Sequence, residues 1–147
     1  MRIIADTGFV VAIADRKDPK HRICIELYRQ YDIILVPQSV LNESCYLLRE
    51  AGGNRLLVAF LRQIPTSNYI VLPLEPEDIE RTADILEKYA DSRVDFVDAS
   101  VAAVAERLNI TRILTLDQRD FSIIRPDIPP ISRFCPDRYQ RKENLNE

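Results

Sequence analysis

The stretch "FVDASVAAVAERLNITRILTLD" (residues 96–117) places a helical pattern directly before a short apolar run. Small and apolar residues recur at helical spacing over about 95–109, and Arg112–Thr115 lacks the alternation of a half-exposed strand. A helix that leads into a fully buried strand is typical of a parallel sheet covered by helices. This stretch therefore predicts an α/β fold.

The rest of the chain repeats the same alternation. Apolar runs predict buried strands at Arg2–Ala5, Ile33–Val36 and Tyr69–Leu72, with a weaker fifth strand at Ile131–Phe134. Between them, helical patterns cover about 20–31, 39–50, 54–64 and 76–90. The 147 residues suffice for one domain with a single core. We predict a three-layer α/β domain with a five-stranded, mainly parallel β-sheet flanked by helices.

The composition excludes several functional classes. Only three glycines are present, so the chain contains neither a P-loop nor a dinucleotide-binding Gly-x-Gly-x-x-Gly loop. His21 is the single histidine, which rules out a ribonuclease mechanism with two histidines from one chain. The three cysteines form no Cys-x-x-Cys pair, so neither a zinc site nor a disulfide framework is indicated. Carboxylates with a metal ion are the main catalytic chemistry that remains.

Charge and hydropathy limit the expected partners. The net charge of −3 argues against a protein that coats nucleic acid electrostatically, but it allows an enzyme that holds nucleic acid locally. Four basic residues form a cluster near the N-terminus: Arg16, Lys17, Lys20 and Arg22. This cluster is either a solvated face or a contact for a phosphate backbone. No apolar run reaches the ~18 residues of a membrane helix, and no signal-peptide layout is present. We therefore expect a cytoplasmic protein with no membrane partner.

Several acidic residues fall where the carboxyl edge of the predicted sheet should lie, which is where open parallel sheets bind ligands. Asp6 ends the first strand, and Asp117 follows the strand Arg112–Thr115 by two residues. The helix at 95–109 runs antiparallel to the strand that follows it, so its N-terminus meets the same edge. Asp98 lies near that N-terminus, on the apolar stripe of the helix. These three aspartates are therefore predicted to converge.

Glu43 is a further candidate, about one turn into the helix that follows the second strand. Helical side chains lean toward the N-terminus, so a glutamate at this position can reach back to the edge. Carboxylates within ~4 to 6 Å of one another repel strongly, and divalent cations remove that conflict. An all-oxygen site of this kind suits Mg²⁺ or Mn²⁺, which promote phosphodiester hydrolysis.

Each candidate also has a purely structural explanation. Asp6 can cap a following helix together with Thr7, and Glu43 can be an ordinary surface residue. Asp98 can close a capping box begun by Asp95, whose own most direct role is the helix cap. Asp117 and Asp120 can cap a short helical turn, and the hydroxyls of Thr7 and Thr115 can either orient a carboxylate or belong to plain turns.

Three segments together resemble the PIN-domain ribonucleases, especially the VapC-type toxins of bacterial toxin–antitoxin pairs. They are "IADTGFVVAI" (4–13), "VPQSVLNESCYLL" (36–48) and "FVDASVAAVAERLNITRILTLDQRDF" (96–121). The resemblance covers about residues 2–135. It implies a PIN-like fold over residues 1–136, followed by a polar C-terminal tail at 137–147 that we expect to be frayed.

The resemblance implies a catalytic metal site of four acids: Asp6, Glu43, Asp98 and, as the best fourth match, Asp117, with Asp120 as the second choice. Thr7 and Thr115 match positions where the family often places a hydroxyl, and Asp95 is at most an outer partner of the metal. The implied activity is Mg²⁺- or Mn²⁺-dependent endoribonuclease cleavage of RNA by a metal-activated water. A homodimer and a cognate antitoxin are the implied partners. The alternative is a catalytically silent PIN-like protein-binding module.

Overall fold

A computed structural model of the chain describes residues 2–116. Within them, four parallel strands form one sheet in the order β3-β2-β1-β4. Their bounds are β1 Ile4–Ala5, β2 Ile34–Pro37, β3 Tyr69–Leu72 and β4 Ile113–Leu114. Ile4 pairs with Leu35 on one side and with Ile113 on the other, which places β1 at the centre. The α/β fold with a parallel sheet is confirmed, and the strand predicted at 131–134 lies outside the described residues.

Five α-helices accompany the sheet in this part of the chain: α1 Thr7–Ala14, α2 His21–Tyr28, α3 Gln38–Gln63, α4 Pro76–Lys88 and α5 Phe96–Arg107. A short 3₁₀ turn, Ile64–Thr66, leads into β3. The helical patterns do not predict α1. Its sequence, TGFVVAIA, is almost entirely apolar, and Thr7, Phe9, Val10 and Ala12 are all buried. A helix without a polar face shows no regular alternation of polar and apolar residues, so its sequence does not reveal the helical period.

The two helical patterns at 39–50 and 54–64 are confirmed as the two halves of α3. Gly53 separates them with φ 68° and ψ −170°, inside an otherwise helical run. This backbone conformation is essentially restricted to glycine, because a Cβ atom would clash with the neighbouring backbone. The glycine therefore bends α3 after its first half, which carries Glu43.

The core lies between the sheet and the helices that cover it. Ile4, Ala5, Ile113 and Leu114 are fully buried in the neighbouring strands β1 and β4. Helix α5 is buried along most of its length: every residue from Asp98 to Ala105 is buried, and most of them are apolar. The residues that follow β1 and β4, Asp6 and Thr115, are buried as well. No helix within residues 2–116 is long and apolar enough to cross a membrane.

Candidate metal centre

Asp6 leaves the carboxyl end of β1 and is only 6% exposed. Its backbone N–H donates a hydrogen bond to the carbonyl of Leu114 at 2.9 Å, so the pairing of β1 with β4 continues to this residue. The hydroxyl of Thr115 donates to Asp6 Oδ2 at 3.1 Å. Asp6 occupies the N-cap position of α1, but its side chain makes no capping hydrogen bond. The helix-cap explanation of Asp6 is therefore wrong.

Asp98 approaches the same edge from the N-terminus of α5. Asp95 caps this helix by accepting a hydrogen bond from the Asp98 N–H at 2.9 Å, and Asp98 Oδ2 accepts one from the Asp95 N–H at 3.3 Å. The capping box considered for these residues is therefore present. It engages only one oxygen of Asp98, which is 9% exposed. Capping and a ligand role are compatible for this side chain.

The two buried aspartates have strongly perturbed acidities. Burial raises the pKa of Asp6 from 3.8 to about 6, and the backbone N–H of Thr7 and the hydroxyl of Thr115 offset part of this rise. Burial, followed by the negative charge of Asp6, raises the pKa of Asp98 to about 8. Ionising both groups is therefore unfavourable unless a positive charge is supplied.

Glu43 lies on α3 and is half-buried. Burial and then the charge of Asp95 raise the pKa of the Glu43 carboxyl, and the Thr7 side chain lowers it. Glu43 in turn contributes to the raised pKa of Asp6, so the two carboxylates sense each other. The Thr7 hydroxyl oxygen is buried and has no hydrogen bond of acceptable geometry among the described residues. Glu43, Thr7 and Asp6 thus border one small polar region.

Part of the predicted ligand set is not brought together by the described residues. Asp117 and Asp120 lie outside residues 2–116. Within that range, no three His, Cys, Asp or Glu side chains are grouped closely enough to form a complete metal site. The geometry establishes a carboxylate pair, Asp6 with Asp98, with Glu43 beside it.

Arg16, from the basic cluster, lies near the amino end of β3 rather than beside the acids. Arg16 and His21 line a cavity of about 470 Å³ together with Ser67 and Tyr69, which lie at the amino end of β3. None of the candidate acids lines this cavity. Helix α1 starts beside Asp6 and carries the chain to the opposite edge.

Two exposed side chains beside Asp98 were not singled out by the sequence patterns. Phe96 is the first residue of α5 and is 49% exposed, and Arg93 is exposed in the turn before it. The signal available in the sequence is the juxtaposition of a cation, an aromatic ring and two acids in "RVDFVD" (93–98). Periodicity reasoning overlooks such a segment because it spans a helix boundary.

The fold agrees with comparisons to known proteins. The profile of the PIN domain matches residues 3–125. Ribonuclease VapC26 of Mycobacterium tuberculosis is 32% identical over 125 residues, which cover 84% of this chain and 93% of that protein.

Solved structures show the same similarity at lower identity. VapC20 of Mycobacterium tuberculosis, a sarcin-ricin loop cleaving toxin, matches with a TM-score of 0.76 at 22% identity, covering 82% of this chain and 94% of that chain. VapBC2 from Rickettsia felis, bound to a DNA fragment from its promoter, matches with a TM-score of 0.66 at 16% identity, covering 88% and 97%. The resemblance found in the three sequence segments is thereby confirmed, and this chain belongs to the PIN-domain family, with VapC-type proteins as its relatives.

Proposed function

We propose that this protein is a Mg²⁺- or Mn²⁺-dependent endoribonuclease and the toxin component of a VapBC-type pair. One observation carries the proposal: Asp6 and Asp98 are buried next to each other at the carboxyl edge of the sheet. Neither of them pairs with a basic side chain within residues 2–116. A buried carboxylate pair without a cation destabilises the fold, so its retention needs a functional reason. Similarity to Ribonuclease VapC26 supports RNA as the substrate.

The donor set fits a hard divalent cation. Carboxylate oxygens are the ligands that Mg²⁺ and Mn²⁺ prefer, and a cation would neutralise the repulsion that raises the pKa of Asp98. The residues that would hold it are Asp6, Glu43, Asp98 and Asp117, with Asp120 as the alternative to Asp117. When bound, such an ion activates water and neutralises charge that develops on the phosphodiester.

The protein's own contribution at this centre is orientation. Thr115 fixes Oδ2 of Asp6, and the backbone N–H of Asp95 fixes Oδ2 of Asp98. The backbone N–H of Thr7 also stabilises the Asp6 carboxylate. Burial of both groups also keeps competing water away, which strengthens every electrostatic interaction there.

The proposed protein partners are inferred from similar proteins rather than from contacts within this chain. Similar structures include VapBC complexes from Rickettsia felis and Salmonella typhimurium, which supports a cognate antitoxin for this protein. We also propose a homodimer in the cytoplasm, with the PIN domain spanning residues 1–136 and a polar tail at 137–147. No observation favours the catalytically silent binding module, which would not need a buried carboxylate pair.

The proposed activity is tested by cleavage of defined RNAs with the purified chain. In Mn²⁺ or Mg²⁺, we expect internal cleavage at discrete positions, mapped at nucleotide resolution. Chelation with EDTA should stop the reaction, and adding excess Mn²⁺ should restore it. Cleavage that persists in EDTA would exclude the metal-dependent mechanism, and absence of cleavage with either ion would exclude the ribonuclease assignment.

A further inference from the structure

We propose that Arg93 and Phe96, at the N-terminal end of α5, form the RNA contact beside the acidic centre. In this arrangement Phe96 stacks on a nucleobase, and Arg93 binds a backbone phosphate of the same strand. The inference rests on the proposed function, because it assigns the residues that position its substrate. Both are positioning residues, since neither belongs to the carboxylate centre itself.

Arg93 is held in place by the turn that carries it. The Ser92 hydroxyl donates to the Tyr89 carbonyl at 2.7 Å and accepts from the Val94 N–H at 3.2 Å. Val94 is 8% exposed and packs into a small core cluster with Ile85. The backbone on both sides of Arg93 is therefore fixed, while its side chain is exposed. Within residues 2–116, the guanidinium makes no hydrogen bond or ion pair.

Phe96 is similarly fixed and similarly exposed. It follows the cap residue Asp95, and the hydrogen bonds between Asp95 and Asp98 enclose it in the first turn of α5. It precedes Asp98 by two residues, which is about 3 Å along the helix axis. A single exposed apolar residue is ordinary on a protein surface. Here, however, Phe96 lies between Arg93 and Asp98 along the chain, at the start of the helix that carries Asp98, and 49% of it is exposed.

The chemistry of this segment matches a single strand of nucleic acid. Proteins that bind single strands combine cations along the phosphate backbone with aromatic side chains that stack on the bases. The acidic centre repels phosphate by itself, and Arg16 of the basic cluster lines a cavity at the amino end of β3 that none of the candidate acids lines. A local cation at Arg93 compensates for this. Because bases inside a duplex are already stacked, the contact favours unpaired RNA segments.

The stacking contact is tested with an unstructured oligoribonucleotide that contains a mapped cleavage position. Binding is measured by fluorescence anisotropy in EDTA, and steady-state cleavage is measured in Mn²⁺. Phe96→Ala should raise both Kd and KM about tenfold, with kcat unchanged. Phe96→Tyr should restore the wild-type values, whereas Phe96→Leu should not. Ile79→Ala is the matched control, because Ile79 is also exposed but lies on α4.

A substrate variant separates stacking from a general structural effect. Single bases near the cleavage position are removed one at a time by placing abasic ribose in the RNA. For the wild type, removal of one particular base should raise Kd about tenfold. For Phe96→Ala, removal of the same base should not raise Kd further, because the ring that contacts that base is already absent. The unfolding temperature of Phe96→Ala should equal that of the wild type.

The phosphate contact is tested by salt dependence. Arg93→Gln should raise Kd and lower the slope of log Kd against log salt by about 0.7, the value for one phosphate of a single strand. Arg55→Gln, which removes an exposed arginine from α3, should leave both unchanged.

The outcomes distinguish the two proposals. Binding without cleavage, with the expected effects of both variants, would overturn the proposed activity and support the contact. Cleavage with Kd, KM and salt slope unchanged in Phe96→Ala and Arg93→Gln would overturn the contact and leave the activity standing. A protein that neither binds nor cleaves the RNA would overturn both.

Discussion

Asp98→Asn is expected to lower the Mn²⁺-dependent rate of RNA cleavage by roughly 100-fold or more, the scale seen when one charge-stabilising group is lost from a catalytic centre. The substitution removes a charge but keeps an oxygen that can accept the Asp95 N–H, so helix α5 should stay capped. Asp6→Asn should have an equivalent effect, because its amide oxygen can still accept from Thr115. Initial rates at saturating RNA measure both losses.

The matched control is Asp84→Asn, which removes an exposed carboxylate from α4. It should cleave RNA at the wild-type rate. Wild-type activity in both Asp6→Asn and Asp98→Asn would remove these residues from the catalytic centre.

The same Asp98→Asn substitution should stabilise the metal-free protein at alkaline pH. Because the pKa values of Asp6 and Asp98 are raised to about 6 and about 8, the folded state binds protons more tightly than the unfolded state. Metal-free stability is therefore greatest below about pH 4 for these groups and is lost as pH rises to about 8. In EDTA, the variant should unfold at a higher temperature than the wild type at pH 8, with a smaller difference at pH 5. A destabilised variant at pH 8 would contradict the assigned repulsion.

Arg107→Met is expected to have the largest effect on stability, a loss of about 3 kcal/mol in the free energy of unfolding. Arg107 donates two hydrogen bonds to Asp78, at 2.7 and 2.9 Å, and Asp78 is only 1% exposed. Methionine keeps much of the aliphatic volume but leaves the Asp78 charge buried without its partner. Urea unfolding measures the loss.

Arg81→Met provides the comparison for Arg107→Met. Arg81 forms a similar 2.8 Å ion pair with Glu106 across the same two helices, but its side chain is 45% exposed. Solvent screens that pair, so its loss should cost less than about 1 kcal/mol. Equal losses in the two variants would show that burial of Asp78 does not set the strength of its ion pair.

The approach of Asp6 to Asp98 could be predicted because sheet topology and helical spacing together determine it. A chain that alternates buried strands with helices can adopt few topologies. In a parallel sheet, the carboxyl ends of the strands and the N-termini of the helices that lead into the next strands lie at the same edge. Helical spacing then decided which side of α5 Asp98 occupies. The capping box of Asp95 and Asp98 was also readable, since Asp-x-x-Asp before an apolar run is a local signal.

Other features depend on tertiary context that local patterns do not contain. Helix α1 is apolar on all sides because it is buried, so it has no detectable period. Its direction carries the chain toward the amino end of β3, where Arg16 lies, and charges along the sequence do not reveal this. The exposure of Phe96 is decided by what packs around α5 rather than by its own neighbours in the chain.

If Asp6 and Asp98 together hold a divalent cation, a Mn²⁺ titration followed by thermal unfolding should reveal it. A ligand that binds only the folded state raises the unfolding temperature with its concentration. We expect this rise for the wild type and for Asp84→Asn, and a flat response for Asp6→Asn and Asp98→Asn. The same rise in all four proteins, or no rise in the wild type, would contradict it.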